Sequence, residues 1–322
     1  MIRPNVTAPP GHVPAVIPDR RRLLWAAITG SGMLSGIYWT FPPIFADADA
    51  TAARVVATQG LIRTASLSDG DLAAIRELPD IPKTPAIEAH RRSIALLEEG
   101  VRQLRHLTGY TAEFSKQEVV GGVMTEPQTM RLKLRHEPFS VYMKWTDGKP
   151  GQELLYVDGQ NEGSMIVRPS GLKGRLLGAI KLDPAGNMAL SESRHPVTEV
   201  GLLRLSQIIL ESRYREAGWL DGYTCTEKEA TVDGRPCHRF SIVYDSPDVR
   251  QDYRKSVVYI DREYLFVSRI ENYGWPIEDL PRDQLDSETL IEAYSYTNVN
   301  LDTQLAAIDF TTANADYGLR RR

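Results

Sequence analysis

Cysteine is nearly absent. The 322 residues contain two, Cys225 and Cys237, too few for a disulfide framework or a four-thiolate zinc site. Neither sign of charge dominates, since 38 Lys and Arg stand against 42 Asp and Glu, for a net charge of −4. Both signs are scattered, which argues against nucleic acid as the main partner, because that role favours a basic patch. The signatures of common chemistries are missing as well. There is no P-loop and no His-Glu-x-x-His, and beyond the N-terminal segment no Gly-x-Ser-x-Gly follows a strand. No cofactor and no metal is expected.

What is present begins with an address. Met1 to Asp19 is rich in Pro, Val and Ala, and Asp19-Arg-Arg-Arg-Leu-Leu24 then opens a charge-free run to Ala46. With Ala46-Asp-Ala48 or Ala48-Asp-Ala50 behind it, this is a signal-peptide layout over residues 1–48. Paired arginines before two leucines resemble the twin-arginine signal; a Sec signal has a similar basic start, so both routes stay open. Leu23 to Phe41 also has about the length of a membrane span, so an uncleaved anchor is the alternative. Gly30, Gly32, Gly36 and Pro42-Pro43 favour cleavage, and no Cys follows the run to carry a lipid. On either account the folded part is expected in the periplasm or cell envelope.

Residues 49–85 read as a linker, because Leu78-Pro-Asp-Ile-Pro-Lys-Thr-Pro85 places three prolines in one short stretch. Ala86 to Leu107 reads as a helix, with Ile87, Ile94, Leu97, Val101 and Leu104 at three- and four-residue steps. Thr84, Pro85 and Glu88 supply its start and Gly109 its stop. From Tyr110 the period becomes two. Met130, Leu132 and Leu134 alternate with charged residues, and Phe139, Val141, Met143 and Trp145 alternate with Ser140, Tyr142 and Lys144. That pattern predicts strands with one dry and one wet face, followed by Glu153 to Asp158.

Gly171 to Leu182 reads as an irregular basic segment, and a second helix is expected over Val197 to Arg213 with Leu202, Leu205, Ile208 and Ile209 as its dry stripe. Asp233-Gly234 signals a hairpin between Tyr223–Val232 and Arg235–Asp245. Further strands are expected over Ser256–Asp261, Tyr264–Tyr273 and Glu288–Leu301, with the tail near Phe310 to Tyr317 folding back on the sheet. The fold class is α+β: a strongly curved, mostly antiparallel sheet, an incomplete barrel, with two main helices covering its concave face. The domain runs over 86–319, and 320–322 is a basic tail.

Candidate chemistry is sparse. Ser191-Glu-Ser-Arg-His195-Pro-Val-Thr-Glu199 is the densest polar cluster. As a hydrolase it would use Ser191 or Ser193 with His195 as base, but such close sequence neighbours seldom attain triad geometry. As structure it is a helix entry with Glu199 near the positive dipole end. Gly171, Gly174 and Gly178 with Lys173, Arg175 and Lys181 suit either an anionic head group or close packing. His90 and His106, on different faces of the first helix, are expected at the surface or rim. A two-residue turn sets Cys237 opposite Ala230 and Cys225 opposite Ile242, on opposite faces, which disfavours a bridge.

Several runs together resemble an exported bacterial family known as a domain of unknown function, DUF1571. They include Leu107-Thr-Gly-Tyr-Thr-Ala-Glu-Phe114, His136-Glu-Pro-Phe-Ser-Val-Tyr-Met-Lys-Trp145, Glu153-Leu-Leu-Tyr-Val-Asp-Gly159, Ser193-Arg-His-Pro-Val-Thr-Glu-Val-Gly-Leu202 and Asp233-Gly-Arg-Pro-Cys237. The layout is similar to the LolA/LolB lipoprotein-carrier superfamily. That resemblance implies a cradle for an acyl chain, lipid or lipoprotein. The candidate lining, read from the apolar faces, is Phe139, Val141, Met143 and Trp145 from the strands with Leu97, Val101, Leu104, Leu202 and Leu205 from the lid. The alternative is an interaction or sensor module with a filled core that binds another envelope protein, and the third reading is the hydrolase. A non-enzymatic binding protein is the expectation.

Overall fold

The computed structural model describes residues 84–217 and 221–320. The segments read as an export signal and a proline linker, up to residue 83, and the last two arginines lie outside the described residues. Helix α1 spans Pro85–Leu104. The Thr84 hydroxyl accepts from the Ile87 amide at 3.3 Å, and Pro85 and Glu88 occupy the first turn, where a missing N–H and a negative charge are both favourable. The helix ends three residues before the expected Leu107. Its buried line is His90, Ser93, Leu97, Gly100, Val101 and Leu104. Gly100 is required there: an added Cβ would sit 2.1 Å from the Leu265 carbonyl oxygen.

The strands follow in two meanders. The first is β1 Gly109–Val120, a short β2 Val123–Met124, β3 Gln128–Arg135, β4 Ser140–Asp147, β5 Glu153–Val157, β6 Met165–Arg168 and β7 Ile180–Leu182. Helix α2, Gly171–Leu177, lies between β6 and β7, so the segment read as irregular is a helix and an edge strand. Helices α3, Asn187–Leu190, and α4, Leu202–Ala217, come next. The second meander is β8 Tyr223–Val232, β9 Arg235–Tyr244, β10 Lys255–Asp261 and β11 Val267–Tyr273, then α5 Leu285–Thr289 and β12 Leu290–Asn300.

One open sheet results, in the order β7-β6-β5-β4-β3-β1-β12-β11-β10-β9-β8, with β2 beside β1. Every pairing is antiparallel, and β1 with β12 joins the two meanders. In the β8–β9 hairpin Asp233 and Gly234 both take positive φ, +51° and +73°, the two-residue turn whose twist matches the strands. Its register puts Cys225 opposite Ile242 and Cys237 opposite Ala230, as expected, and both thiols are free and buried.

The second helix begins five residues later than expected. Val197–Glu199 forms a separate 3₁₀ turn, and Gly201, at φ +116°, breaks the path before Leu202. The sheet then fixes the helix start, since the hydroxyls of Tyr296 and Tyr110 accept from the amides of Gly201 and Leu202 at 2.9 and 2.7 Å. These are donors that a helix N-terminus leaves without intrahelical partners.

The helices do not cover the whole sheet. At 20 residues α1 is about 30 Å long, while the eleven strands in sequence across the sheet span about 50 Å. Helices α1 and α4 pack together over β8, β9 and β11. Leu97 and Ile209 there meet Phe240, Ile242, Val258, Ile260 and Val267. The other half of this face is roofed instead by the α3–α4 connection.

The outer face of β4–β6 is dry as well. Tyr142, Leu155, Val157 and Ile166 are buried under Phe310, Tyr317 and Leu319 of the C-terminal segment. Ser140 and Tyr142 are therefore 0 % and 4 % exposed, not wet as the alternation suggested. Tyr317 stacks on Tyr142 at 3.7 Å, and Lys133 bonds Asp309 at 2.6 Å.

Candidate functional site

The half-sheet from β1 to β7 presents an apolar floor built from cross-strand pairs. Leu132 faces Met143, Leu134 faces Val141 and Met130 faces Trp145. Beyond them Met143 faces Leu154, Leu154 faces Val167, and Val167 faces Ile180. Side chains repeat every second residue on one face, so each strand adds a row. The Trp145 indole donates to the Gln128 side-chain oxygen at 2.8 Å, which satisfies the one polar atom it takes into the floor.

The sequence-selected residues divide between two apolar clusters. Val141, Met143, Trp145, Leu104 and Leu202 meet in the floor cluster, with half-buried Phe139 and Leu205 at its border. Leu97 belongs to the second cluster, under the helices, which Leu205 also borders. Val101 is buried on α1 without membership of either. The roof over the floor is a run of short elements: Ala189 of α3, Val197 of the 3₁₀ turn, Val200 beyond it and Leu203 at the start of α4 pack against the cluster.

That roof is fastened by charge. Glu118 on β1 and Glu292 on β12 stand directly opposite one another in the ladder, and both are nearly fully buried. Like charges in that relation repel. The roof and β1 supply the compensation. Arg194 Nε and His195 Nε2 donate to Glu292 Oε2 at 3.0 and 3.1 Å, and Lys116 Nζ reaches Glu118 at 2.7 Å. Asn272 and Tyr253 donate to Glu292 Oε1 at 2.7 and 2.9 Å, and Tyr294 donates to Glu118 at 2.6 Å. With Glu199, which bonds His195 Nδ1 at 3.1 Å, three carboxylates balance three cations.

The proton positions follow from this arrangement. Burial works against an imidazolium at His195, but hydrogen bonds and charge from Glu199 and Glu292 outweigh it and raise the pKa to about 9. Burial likewise opposes the Glu292 carboxylate, and His195, Asn272 and Arg194 more than offset it, holding the group down at about 2. His195 is thus a cation at neutral pH with both ring nitrogens donating. It has no lone pair to take a proton from a serine. Ser191 Oγ donates to the Met188 carbonyl, and Ser193 Oγ lies among Lys116 and Glu118. The segment read as a possible triad is an ionic latch. Glu199 serves His195 and not a helix dipole.

Sequence reasoning missed Glu118, Glu292 and their hydroxyl and amide partners. A signal was available. Tyr110, Ala112, Phe114, Lys116 and Glu118 share one strand face, as do Tyr296, Tyr294 and Glu292, so charges stood at inward positions of otherwise dry columns. His90 is a second correction. It is 2 % exposed, bonds Tyr223 through Nδ1 at 2.5 Å and lies 3.7 Å from Glu216. Burial and the neighbouring Arg213 charge lower its pKa to about 4. Arg213 and Glu216, also buried, pair at 2.7 Å, and Tyr244 donates to Glu216 at 2.5 Å. This network ties α1 and α4 to β8 and β9. Among the described residues no group of three or more His, Cys, Asp and Glu is placed to hold a metal ion.

Residues 107–319 match the family described as "Protein of unknown function (DUF1571)". No curated protein matches the chain in sequence. Among solved structures it is similar to the lipoprotein LppX of Mycobacterium tuberculosis, at 12 % identity over 67 % of this chain and 99 % of that one, TM-score 0.38. It is also similar to MucB, solved in complex with MucA(peri), at 16 % identity over 69 % of this chain and 58 % of that one, TM-score 0.36. A LolA superfamily protein from Nitrosomonas europaea matches at 10 % identity over 67 % and 96 %, TM-score 0.28. These are likenesses of fold.

Proposed function

The chain belongs to the DUF1571 family, and from that premise we propose that it is an exported cell-envelope binding protein for an acyl chain, lipid or lipoprotein. The cargo lies on the floor of Phe139, Val141, Met143 and Trp145, bounded by Leu104, Leu202 and Leu205, with Leu97 and Val101 behind. One observation carries the reading: the floor is covered by the short elements between α3 and the start of α4, fastened to the sheet by ion pairs, while the other half of the sheet is sealed by two helices. The reading requires that the α3–α4 connection lift while α1 and α4 stay packed over β8, β9 and β11. The role is binding and not catalysis, in keeping with a His195 that is already protonated. Periplasm or envelope is the location that the N-terminal segment supports.

The test is native mass spectrometry and lipid extraction of protein isolated gently from envelope fractions, both for the wild type and for Glu292→Gln. A bound amphiphile is expected in the wild type, with exchange accelerated in the variant. Absence of any amphiphile from both forms overturns the reading. A second reading has its own support. Leu104, Met130, Leu132, Leu134, Val141 and Leu202 are at most 1 % exposed, so no water-sized space adjoins them with the roof down, as in a filled core. On that reading the chain is an interaction or sensor module, and a stoichiometric protein partner without lipid is the distinguishing result.

A further inference from the structure

Helix α2 sits between β6 and the edge strand β7, and three of its seven residues are leucines turned to solvent. Leu172, Leu176 and Leu177 are 69 %, 76 % and 63 % exposed. Such exposure is not a loose end of chain, because the orientation of the helix is set by packing. Gly174 is buried, and a Cβ there would meet the Pro169 carbonyl oxygen at 1.9 Å. Leu172 and Leu176 each lie two residues from Gly174, about 200° round the helix, and so form the crest facing away from the protein. Beyond β7 in the chain, Met188 and Leu190 of α3 are 63 % and 37 % exposed.

Charge distinguishes this edge from the rest of the chain. From Ser164 to Leu182 there are four cations, Arg168, Lys173, Arg175 and Lys181, and no Asp or Glu, although the whole chain carries −4. The first flanking acids are Glu162, which pairs with Lys181 at 3.3 Å, and Asp183. Arg168 is turned toward Gly318. Arg175 is exposed beside the leucine crest.

We propose that α2 and the β7 edge form a membrane-docking surface, whose exposed leucines enter the interface of an anionic phospholipid bilayer while Arg175 meets the head groups. Apolar crest and basic flank are the two components of reversible interfacial binding. The docking is peripheral: among the described residues no helix is long and apolar enough to cross a membrane. It goes beyond the binding role above and does not depend on any cargo, since it concerns only where the protein rests.

The test uses the full chain with an environment-sensitive fluorophore on Leu176→Cys, and in parallel on Leu172→Cys. Buried Cys225, its thiol pushed up to about 12 by burial, and buried Cys237 leave the introduced thiol as the one that reacts. The control label is on Ile277→Cys, a fully exposed position after β11, which stands seven places from β7 in the sheet order. Vesicles of phosphatidylcholine containing phosphatidylglycerol should shift emission at 172 and 176 to the blue and leave 277 unchanged. Phosphatidylcholine alone should do little, and added salt should weaken the response. Arg175→Gln should raise the lipid needed for half-response about fivefold. No shift at 172 and 176 overturns the proposal, even for a chain tethered by its N-terminal apolar run, because each label reports its own surroundings. An equal shift at 277, or an equal response without anionic lipid, also overturns it.

Discussion

Glu292→Gln removes the charge at the centre of the latch while keeping the shape of the side chain. The carboxylate accepts from Arg194, His195, Asn272 and Tyr253 at 2.7–3.1 Å and is 3 % exposed. Removing one partner of a buried ion pair costs about 3–5 kcal/mol. The Arg194 and His195 side chains are 32 % and 44 % exposed, so water takes up part of their charge and the lower figure, about 3 kcal/mol, applies. For a domain of this size that lowers Tm by about 6–12 °C.

The pH dependence of the same latch is a sharper reading. His195 is raised from an ordinary 6.5 to about 9 in the folded protein. Its contribution is therefore complete below pH 6.5 and is lost as pH rises from there through 9. Without screening, the shift corresponds to about 3 kcal/mol, and the exposure of the ring reduces this to about 1–2 kcal/mol. Urea unfolding of wild type and variant at pH 6, 7.5 and 9.5 measures both effects. The wild type should lose stability across that range, and the variant, in which Glu199 alone holds the ring, should lose less than half as much. A variant destabilised by less than about 1 kcal/mol at neutral pH, or one retaining the full pH slope, refutes the latch.

Gly100→Ala should destabilise by about 1–3 kcal/mol or more, because the new methyl meets the Leu265 carbonyl at 2.1 Å; an unchanged urea midpoint would show that this contact yields freely. Phe310→Ala should cost about 3–5 kcal/mol by emptying the patch over Tyr142 and Ile166, and a loss below 1 kcal/mol in the same assay would show that the tail does not seal the outer face. Cys225 and Cys237 should react with a thiol reagent slowly when native and completely in denaturant, since both are buried and burial raises both thiols. Rapid native labelling would contradict that burial.

Alternation and turn chemistry determine most of the secondary structure here. The three strands from Gln128 to Asp158, the Asp233-Gly234 hairpin and its cysteine register, and the capped start of α1 all depend on neighbours a few residues apart. Such interactions are written locally, and so they are legible. The dry positions of β4 were legible for the same reason. The start of α4 was less so, because Pro196 promised a helix that Gly201 and two distant tyrosine hydroxyls delay to Leu202.

Only the tertiary structure decided what lies on each face. Tyr142 alternates like a solvent residue and is buried because a segment about 170 positions later in the chain covers it. His90 looks like a rim residue until α4 and β8 close around it. Glu118 and Glu292 become a problem only when β1 and β12 pair, and Ser193-Arg-His195 becomes a latch only because that pairing places two carboxylates side by side. The sequence by itself determined periodicities and turns, which arise from short-range sterics and hydropathy. The partners of its buried charges depended on long-range pairing, which no local pattern encodes.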